Sequence, residues 1–319
     1  MNRIGVLFIA LLALPTLSTA QSFPSKPIRI VAGAAAGGGV DTSSRIIAQN
    51  LPDAIGQPGV VENRAGAGGA VAGDTVAKAT PDGHTLLTIS ISHAVLPSSH
   101  KNLSYSPERD LVPVTVMVNA PNILVAHPSL PVKSMKELIA YARARPGQIN
   151  YASSGNASPA HLATEYLKLL TKTDLVHVPY KGTSPGMTDT IAGRVSLMFA
   201  SIISTRQHIE AGKLRALAMA GSRRAAAAPE IPTIAEAGVP GYAVDVWYAL
   251  LAPAATPRPV LERLNGAVAQ ILKSPDVTQK LAAIGLEPVA EGLTPSDAYI
   301  KSEIRKWARV VDAAKISSD

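Results

Sequence analysis

The sequence predicts an α/β fold in two lobes, and three observations predict it. Strand-like and helix-like segments alternate along almost all of the 319 residues, the pattern of largely parallel sheets flanked by helices. Two strand–loop–helix junctions of the same chemistry, one near Gly37 and one near Gly155, lie far apart in the chain. Two apolar segments, Asn122 to His127 and Val246 to Ala252, end at Pro128 and Pro253 and read as strands crossing between lobes. If both cross, 21–123 and 248–319 form lobe one and 124–247 form lobe two.

The elements follow in order. The β-branched run Pro27-Ile28-Arg29-Ile30-Val31 gives a strand over 27–33, and a helix over 41–54 starts at Asp41. A strand over 58–63, a helix over 71–79 and a strand over 85–89 come next, the last two parted by the turn Pro81-Asp82-Gly83-His84. Gly66-Ala67-Gly68-Gly69 reads as a structural close approach before the helix at 71. The second unit has strands at 122–127, 149–153, 175–178, 195–199 and 214–220. Helices at 134–144, 159–171, 184–193 and 203–211 alternate with them. A short helix near Thr233–Ala237, a strand at 246–251 and helices at 257–273, 275–284 and 295–313 complete the chain.

The N-terminus decides the expected compartment. Arg3 is a short positive region, and Ile4 to Leu14 is an apolar run too short to span a bilayer. Pro15 breaks it, and Ser18-Thr19-Ala20 has the small residues of a cleavage site. Residues 1–20 therefore read as a signal peptide cleaved near Ala20. Cysteine is absent, which removes disulfides, thiolate nucleophiles, Cys-type metal sites and a lipoprotein anchor together. An exported chain of this kind points to a bacterial periplasm. The net charge of +7 is spread along the chain without aromatic interleaving, so nucleic acid is not expected as a partner. Such a positive field favours an acidic solute.

The two junctions carry the chemistry. Ser153-Ser154-Gly155-Asn156-Ala157-Ser158-Pro159-Ala160-His161 follows a strand and opens a helix; Ser158 has N-cap chemistry and Pro159 suits the first helical position. Its backbone N–H groups and the positive end of the helix dipole converge on one spot suited to an anion. Ala34-Ala35-Ala36-Gly37-Gly38-Gly39 repeats the arrangement after the first strand. Two such loops on two stretches of α/β sequence would pinch one small anion between lobes. The glycines lack the G-x-x-x-x-G-K-[ST] and G-x-G-x-x-G patterns of nucleotide cradles.

An ordered set of motifs then resembles a known family. Pro24-Ser25-Lys26-Pro27-Ile28-Arg29-Ile30-Val31, Gly37-Gly38-Gly39-Val40-Asp41 and Val61-Glu62-Asn63-Arg64-Ala65-Gly66-Ala67-Gly68-Gly69 come first. Pro81-Asp82-Gly83-His84-Thr85-Leu86-Leu87, Tyr151-Ala152-Ser153-Ser154-Gly155, His177-Val178-Pro179-Tyr180-Lys181-Gly182 and Ile231-Pro232-Thr233-Ile234-Ala235-Glu236-Ala237-Gly238 follow. The chain resembles the Bug family, the TctC-like periplasmic solute-binding proteins of tripartite tricarboxylate transporters. The resemblance implies a Venus-flytrap fold that closes on a small carboxylated solute through loop backbone and ordered water, with no catalytic residue, cofactor or metal. The solute class stays open among di- and tricarboxylates, amino acids and aromatic acids. Implied partners are membrane permease subunits or a sensor protein, and the chain is expected to be a monomer.

Carried over by motif, Ala34, Ala36, Gly37 and Gly38 face Ser154, Gly155, Asn156, Ser158 and His161 across the pocket. Ser90 and His93 border it, as do Tyr180, Lys181, Gly182, Asp189, Ala200 and Ser201. Gly33-Ala34-Ala35-Ala36 stands where the family has Pro-Phe, a variable residue and Pro, which implies a wider or more mobile first loop. Lys181 is equally a partner for a ligand carboxylate and a surface lysine beside Gly182. Asp189 either receives an amino or hydroxyl group or pairs locally. Trp247 and Tyr248 read as hinge packing. The rival from another class is an exported hydrolase using Ser154 and His161, against which stands the lack of a G-x-S-x-G elbow.

Overall fold

In the computed structural model, which describes residues 23–100 and 102–316, the chain forms two separate sheets. The segment read as a signal peptide lies outside the described residues. The first sheet is built from Ile28–Ala32 (β1), Gly59–Asn63 (β2), Thr85–Ser90 (β3), Leu111–Asn119 (β4), Trp247–Pro253 (β10) and Glu287–Pro288 (β11), in the order β11-β4-β10-β3-β1-β2. The second contains Asn122–Ala126 (β5), Ile149–Ser153 (β6), Leu175–Pro179 (β7), Leu197–Ser201 (β8) and Arg215–Met219 (β9), in the order β7-β6-β8-β5-β9.

Both sheets are mixed. β1 runs parallel to β2 and β3, and β6 runs parallel to β7 and β8, the pairing that βαβ crossovers impose. β10 runs antiparallel to β3 and β4, and β5 runs antiparallel to β8 and β9. β10 and β5 are the segments expected to cross between lobes, yet each pairs within a single sheet. The chain passes between sheets at Ala120-Pro121 and again in the stretch between β9 and β10.

Helices Gly39–Ile55 (α1), Ala70–Ala77 (α2), Ser92–Ser99 (α3), Arg258–Lys273 (α8), Pro275–Ala283 (α9) and Leu293–Ala314 (α10) flank the first sheet. Met135–Ala144 (α4), Pro159–Thr171 (α5), Thr183–Ile191 (α6) and Ile202–Glu210 (α7) flank the second. The expected short helix near Thr233 is a single turn. Thr233 Oγ1 accepts from the Glu236 N–H and Glu236 accepts from the Thr233 N–H, a capping box. Gly238, at φ +107°, then ends it.

The two lobes share an aromatic seam. Trp307 of α10 meets Tyr166 of α5 edge-on, Tyr166 stacks on Tyr242, and Tyr242 stacks on Phe199 of β8. The Tyr242 hydroxyl donates to Ala163 O at 3.0 Å. This seam continues one apolar core from the first sheet into one face of the second. A smaller cluster around Ile123, Met198 and Met187 fills the other face. Among the described residues, no helix is long and apolar enough to cross a membrane.

Candidate functional site

Between the two sheets lies a cleft of about 430 Å³. Its wall takes Gly37, Gly39, Thr42, Ala120, Val246, Tyr248, Ile284, Gly285 and Leu286 from the first sheet's side. From the second come Asn122, Ser154, Pro159, Ala160, Thr183, Phe199, Ala200 and Ser201. No Asp, Glu, Lys, Arg or His stands among them.

The reason for this placement is topological. β1, β6, β7 and β8 each run into a helix, and the first residues of those helices form the wall: Gly39 of α1, Pro159 and Ala160 of α5, Thr183 of α6, and Ser201 just before α7. Ligands collect at such carboxyl ends of strands because helix N-termini point there. Two of the four helices are capped internally. Ser158 Oγ accepts from His161 N at 3.4 Å, and Ser201 Oγ accepts from Ser204 N at 3.3 Å. The other two, α1 and α6, have Gly38 and Gly182 at the cap and no side-chain acceptor. Their first-turn N–H groups have no partner within the helix, and one lies on each side of the cleft.

The first loop is anchored by polar contacts where prolines are missing. Gly33 N donates to Thr88 O at 2.9 Å, Asn63 Nδ2 donates to Ala34 O at 3.1 Å, and Gly37 N donates to Asp41 Oδ2 at 2.9 Å. Asp41 is buried, and its bond from Arg45, with help from the Gly37 amide and Asn63, lowers its pKa to about 2. The carboxylate therefore stays ionised, paired with Arg45 one turn on, and holds the loop instead of facing the cleft.

The second loop rests on a buried stack. His161 lies parallel to His177 at 4.0 Å between ring centres, and His177 lies on Tyr151 at 4.9 Å. His161 Nδ1 accepts from the Ala157 N–H at 3.0 Å, while Ser153 Oγ bonds His177 Nε2 at 2.6 Å and accepts from Gly155 N at 3.1 Å. Tyr151 and Lys168 both donate to Glu165. Burial lowers the pKa of His161 to about 4 and pushes His177 down as well, so both rings are neutral near pH 7.

Of the residues expected from sequence, Gly37, Ser154, Ala200 and Ser201 line the cleft; Gly39, Pro159 and Ala160 join them from within the expected loops. Ala34, Ala36, Gly38, Gly155, Asn156, Ser158 and Gly182 shape those loops and caps without forming wall. Ser90 pairs with Tyr248 across β3 and β10, one strand in from the wall. His93 is a buried residue of α3, 1% exposed, and does not border the cleft. The Tyr180 hydroxyl donates to Asp189 at 2.8 Å, and Arg194 also binds Asp189, so Asp189 pairs locally. Lys181 is exposed. Tyr248, expected as hinge packing, is wall, whereas Trp247 is fully buried and donates to Glu303.

Sequence reasoning did not find Thr42, Asn122, Thr183, Phe199 or Ile284 to Leu286. The signal available for Thr183 was its position right after Gly182 at a helix start. For Ile284 to Leu286 there was none, because their place depends on how α9 docks. Among the described residues, no group of His, Asp and Glu could hold a metal ion.

The chain matches the model of the tripartite tricarboxylate transporter family receptor, TctC, over residues 43–316. It belongs to that family. It is 38% identical over 313 residues to the UPF0065 protein in the tcbD-tcbE intergenic region of Pseudomonas sp. strain P51, covering 97% of this chain and 93% of the relative. It is 37% identical over 310 residues to BugT of Bordetella pertussis, covering 97% and 95%. Among solved structures, R. palustris Rpa4515 with adipate superposes at a TM-score of 0.78 with 36% identity, covering 92% of this chain and 99% of that one. MatC from Rhodopseudomonas palustris with bound malate gives 0.74 at 33%, covering 91% and 100%. The two-lobed periplasmic-binding-protein fold is thus that of the TctC receptor. Its family is one of solute receptors and not of enzymes, so the hydrolase alternative falls. The geometry agrees, since His161 Nδ1 already holds the Ala157 N–H.

Proposed function

We propose that this TctC receptor works in the periplasm, where it captures a small carboxylated solute in the cleft between its sheets and delivers it to the permease of a tripartite tricarboxylate transporter. The observation that carries the reading is a wall without any charged side chain, into which four helices begin and two of them without a side-chain cap. A carboxylate there completes the caps of α1 and α6. A helix N-terminus contributes roughly 0.3–1 kcal/mol to an exposed anion and up to about 2 kcal/mol in a partly buried site. Bridging water fills the remaining donors and acceptors at little cost. The adipate and malate in the two solved relatives support the carboxylate class.

The lobes are the two sheets with their helices, turning about Ala120-Pro121 and the return stretch before β10. Gly37 and Gly39 supply contacts from one side, and Ser154, Thr183 and Ser201 from the other. Thermal-shift and calorimetric titration of guest-free protein against a panel of carboxylic acids tests the reading. Saturable binding of at least one acid, absent for its amide or methyl ester, supports it; equal binding of acid and ester refutes it.

A further inference from the structure

The turn that joins β6 to α5 is bent against its own preferences. Ser154 and Pro159 stand in the wall of the cleft, and Gly155 to Ser158 connect them. Gly155 has φ +125° and Ala157 has φ +53°, the second in the left-handed region that a side chain disfavours. Such a conformation persists where its surroundings over-determine it, and here two stacked rings do so. His161 Nδ1 accepts from the Ala157 N–H at 3.0 Å. Ser153 Oγ accepts from the Gly155 N–H at 3.1 Å and bonds His177 Nε2 at 2.6 Å. The two imidazoles lie 4.0 Å apart between centres, so both anchors of the turn belong to one unit.

His161 is the third residue of α5, the position from which Glu or Gln reaches back to the N-cap amide in a capping box. Ser158 Oγ accepts from His161 N as in that motif, and the imidazole takes the returning bond one residue earlier, from Ala157. A glutamate could accept the same bond, but it would set a negative charge at a helix start in the wall of an anion cleft. An amide N–H only donates, so Nδ1 is bare and Nε2 carries the proton. Nε2 stands 4.0 Å from Glu165 Oε1. The other titratable groups around the ring are His177 on β7, Tyr151 on β6 and Lys168 on α5. Burial keeps the ring neutral, and a cation at a helix N-terminus is disfavoured as well.

We infer that His161 is a positioning residue of the solute site: its neutral ring fixes the turn between Ser154 and Pro159 without placing a negative charge beside the bound carboxylate. The inference rests on the carboxylate-receptor reading above and assigns a residue that acts on the solute only through the turn. Three single substitutions test it. His161→Gln keeps a neutral acceptor, His161→Glu keeps a charged one, and His161→Phe keeps none. In amide hydrogen exchange followed by NMR, Ala157 should exchange about tenfold or more faster in His161→Phe than in the wild type and in His161→Gln, while the amides of β6 keep their rates. Exchange at Ala157 as slow in His161→Phe as in the wild type overturns the inference. In calorimetry with adipate and malate as probes, His161→Gln should stay within about threefold of the wild-type affinity, and His161→Glu should bind about tenfold or more weakly. Equal affinities for His161→Gln and His161→Glu, or a His161→Gln as weak as His161→Phe, overturn it and leave the receptor reading intact. If His161→Glu fails to fold, the comparison of His161→Gln with His161→Phe decides. If neither probe binds the wild type, the receptor reading fails for these acids, and the exchange at Ala157 still decides the role of His161.

Discussion

Gly39 and Tyr248 are in direct contact: a β-carbon at position 39 would overlap the Tyr248 hydroxyl. The first residue of α1 thus packs on the ring that floors the cleft, and only hydrogen fits between them. Gly39→Val should displace Tyr248 into the cleft and weaken carboxylate binding about tenfold or more, while thermal unfolding stays cooperative. Gly38 is different. Its missing β-carbon would meet only Ala35 O at 3.6 Å, ordinary contact, so Gly38→Ala should change affinity by less than about threefold. Calorimetry on the two variants separates them, and a larger loss at position 38 would contradict this packing.

Gly285, in the cleft wall, packs against Ile203 of α7. Gly285 has φ +72°, and a β-carbon there would overlap Ile203 Cγ1. Gly285→Ala therefore introduces both backbone strain, about 1 kcal/mol, and a wedge between the lobes. The expected result is weaker binding and a larger radius of gyration by X-ray scattering with ligand present. Ile203→Ala in the same molecule removes the wedge but not the strain, so affinity should return in part. A double variant no better than Gly285→Ala would mean that the two residues do not couple.

Much of this architecture was legible in the chain because local chemistry and fold agree. Ser158 and Pro159 mark the start of α5, and the strand over 149–153 matches the expected bounds to the residue. β4 was not legible. Pro113 interrupts its apolar run, and proline argues against a central strand. β11 pairs with β4 only at Asn119 and Val118, so beside Pro113 that flank of β4 has no strand neighbour. The far wall of the cleft was hidden for another reason. Ile284 and Leu286 reach it through the docking of α9, and no local pattern encodes a contact between Gly285 and Ile203. His93 shows the converse error: a motif neighbour of Ser90 that turns into the core once α3 forms.

Acid should destabilise the protein well above the range where ordinary carboxylates titrate. Burial lowers His161 and His93 to about 4, below the 6.5 of a free imidazole. Between those values the unfolded chain binds protons that the folded chain does not, so stability falls as pH drops from about 6.5 to about 4. For each ring the loss is bounded at about 3 kcal/mol. Asp41, lowered to about 2, adds a further loss below about pH 4, where the unfolded carboxyl protonates first. Unfolding midpoints in urea between pH 8 and pH 4 should decline steadily. His161→Phe, which keeps a ring on His177 and carries no proton, should flatten that slope. A stability unchanged from pH 7 to pH 4.5 would falsify the buried neutral stack.

Glu303 is the polar centre of the seam between lobes. It is 4% exposed, and its Oε2 accepts from Trp247 Nε1 at 3.3 Å and Trp307 Nε1 at 3.1 Å, while Lys306 pairs with Oε1. Lys306 in turn donates to Ala243 O at 3.0 Å, in the stretch that returns from the second sheet. One carboxylate thus orients the indole at the start of β10, the indole of α10 that meets Tyr166, and the lysine that ties down the return stretch. Glu303→Ala leaves two indole N–H groups unpaired in the core and should cost about 2–5 kcal/mol in urea unfolding. Glu303→Gln keeps one acceptor oxygen and should cost less than Glu303→Ala. Because Glu303 itself is not part of the cleft wall, carboxylate affinity of the folded Glu303→Gln protein should change only through the ease of lobe rotation. The sign is then the informative result: a looser seam with unchanged wall contacts should speed both association and dissociation in stopped-flow measurements. A selective loss of association alone would place Glu303 in the binding surface instead.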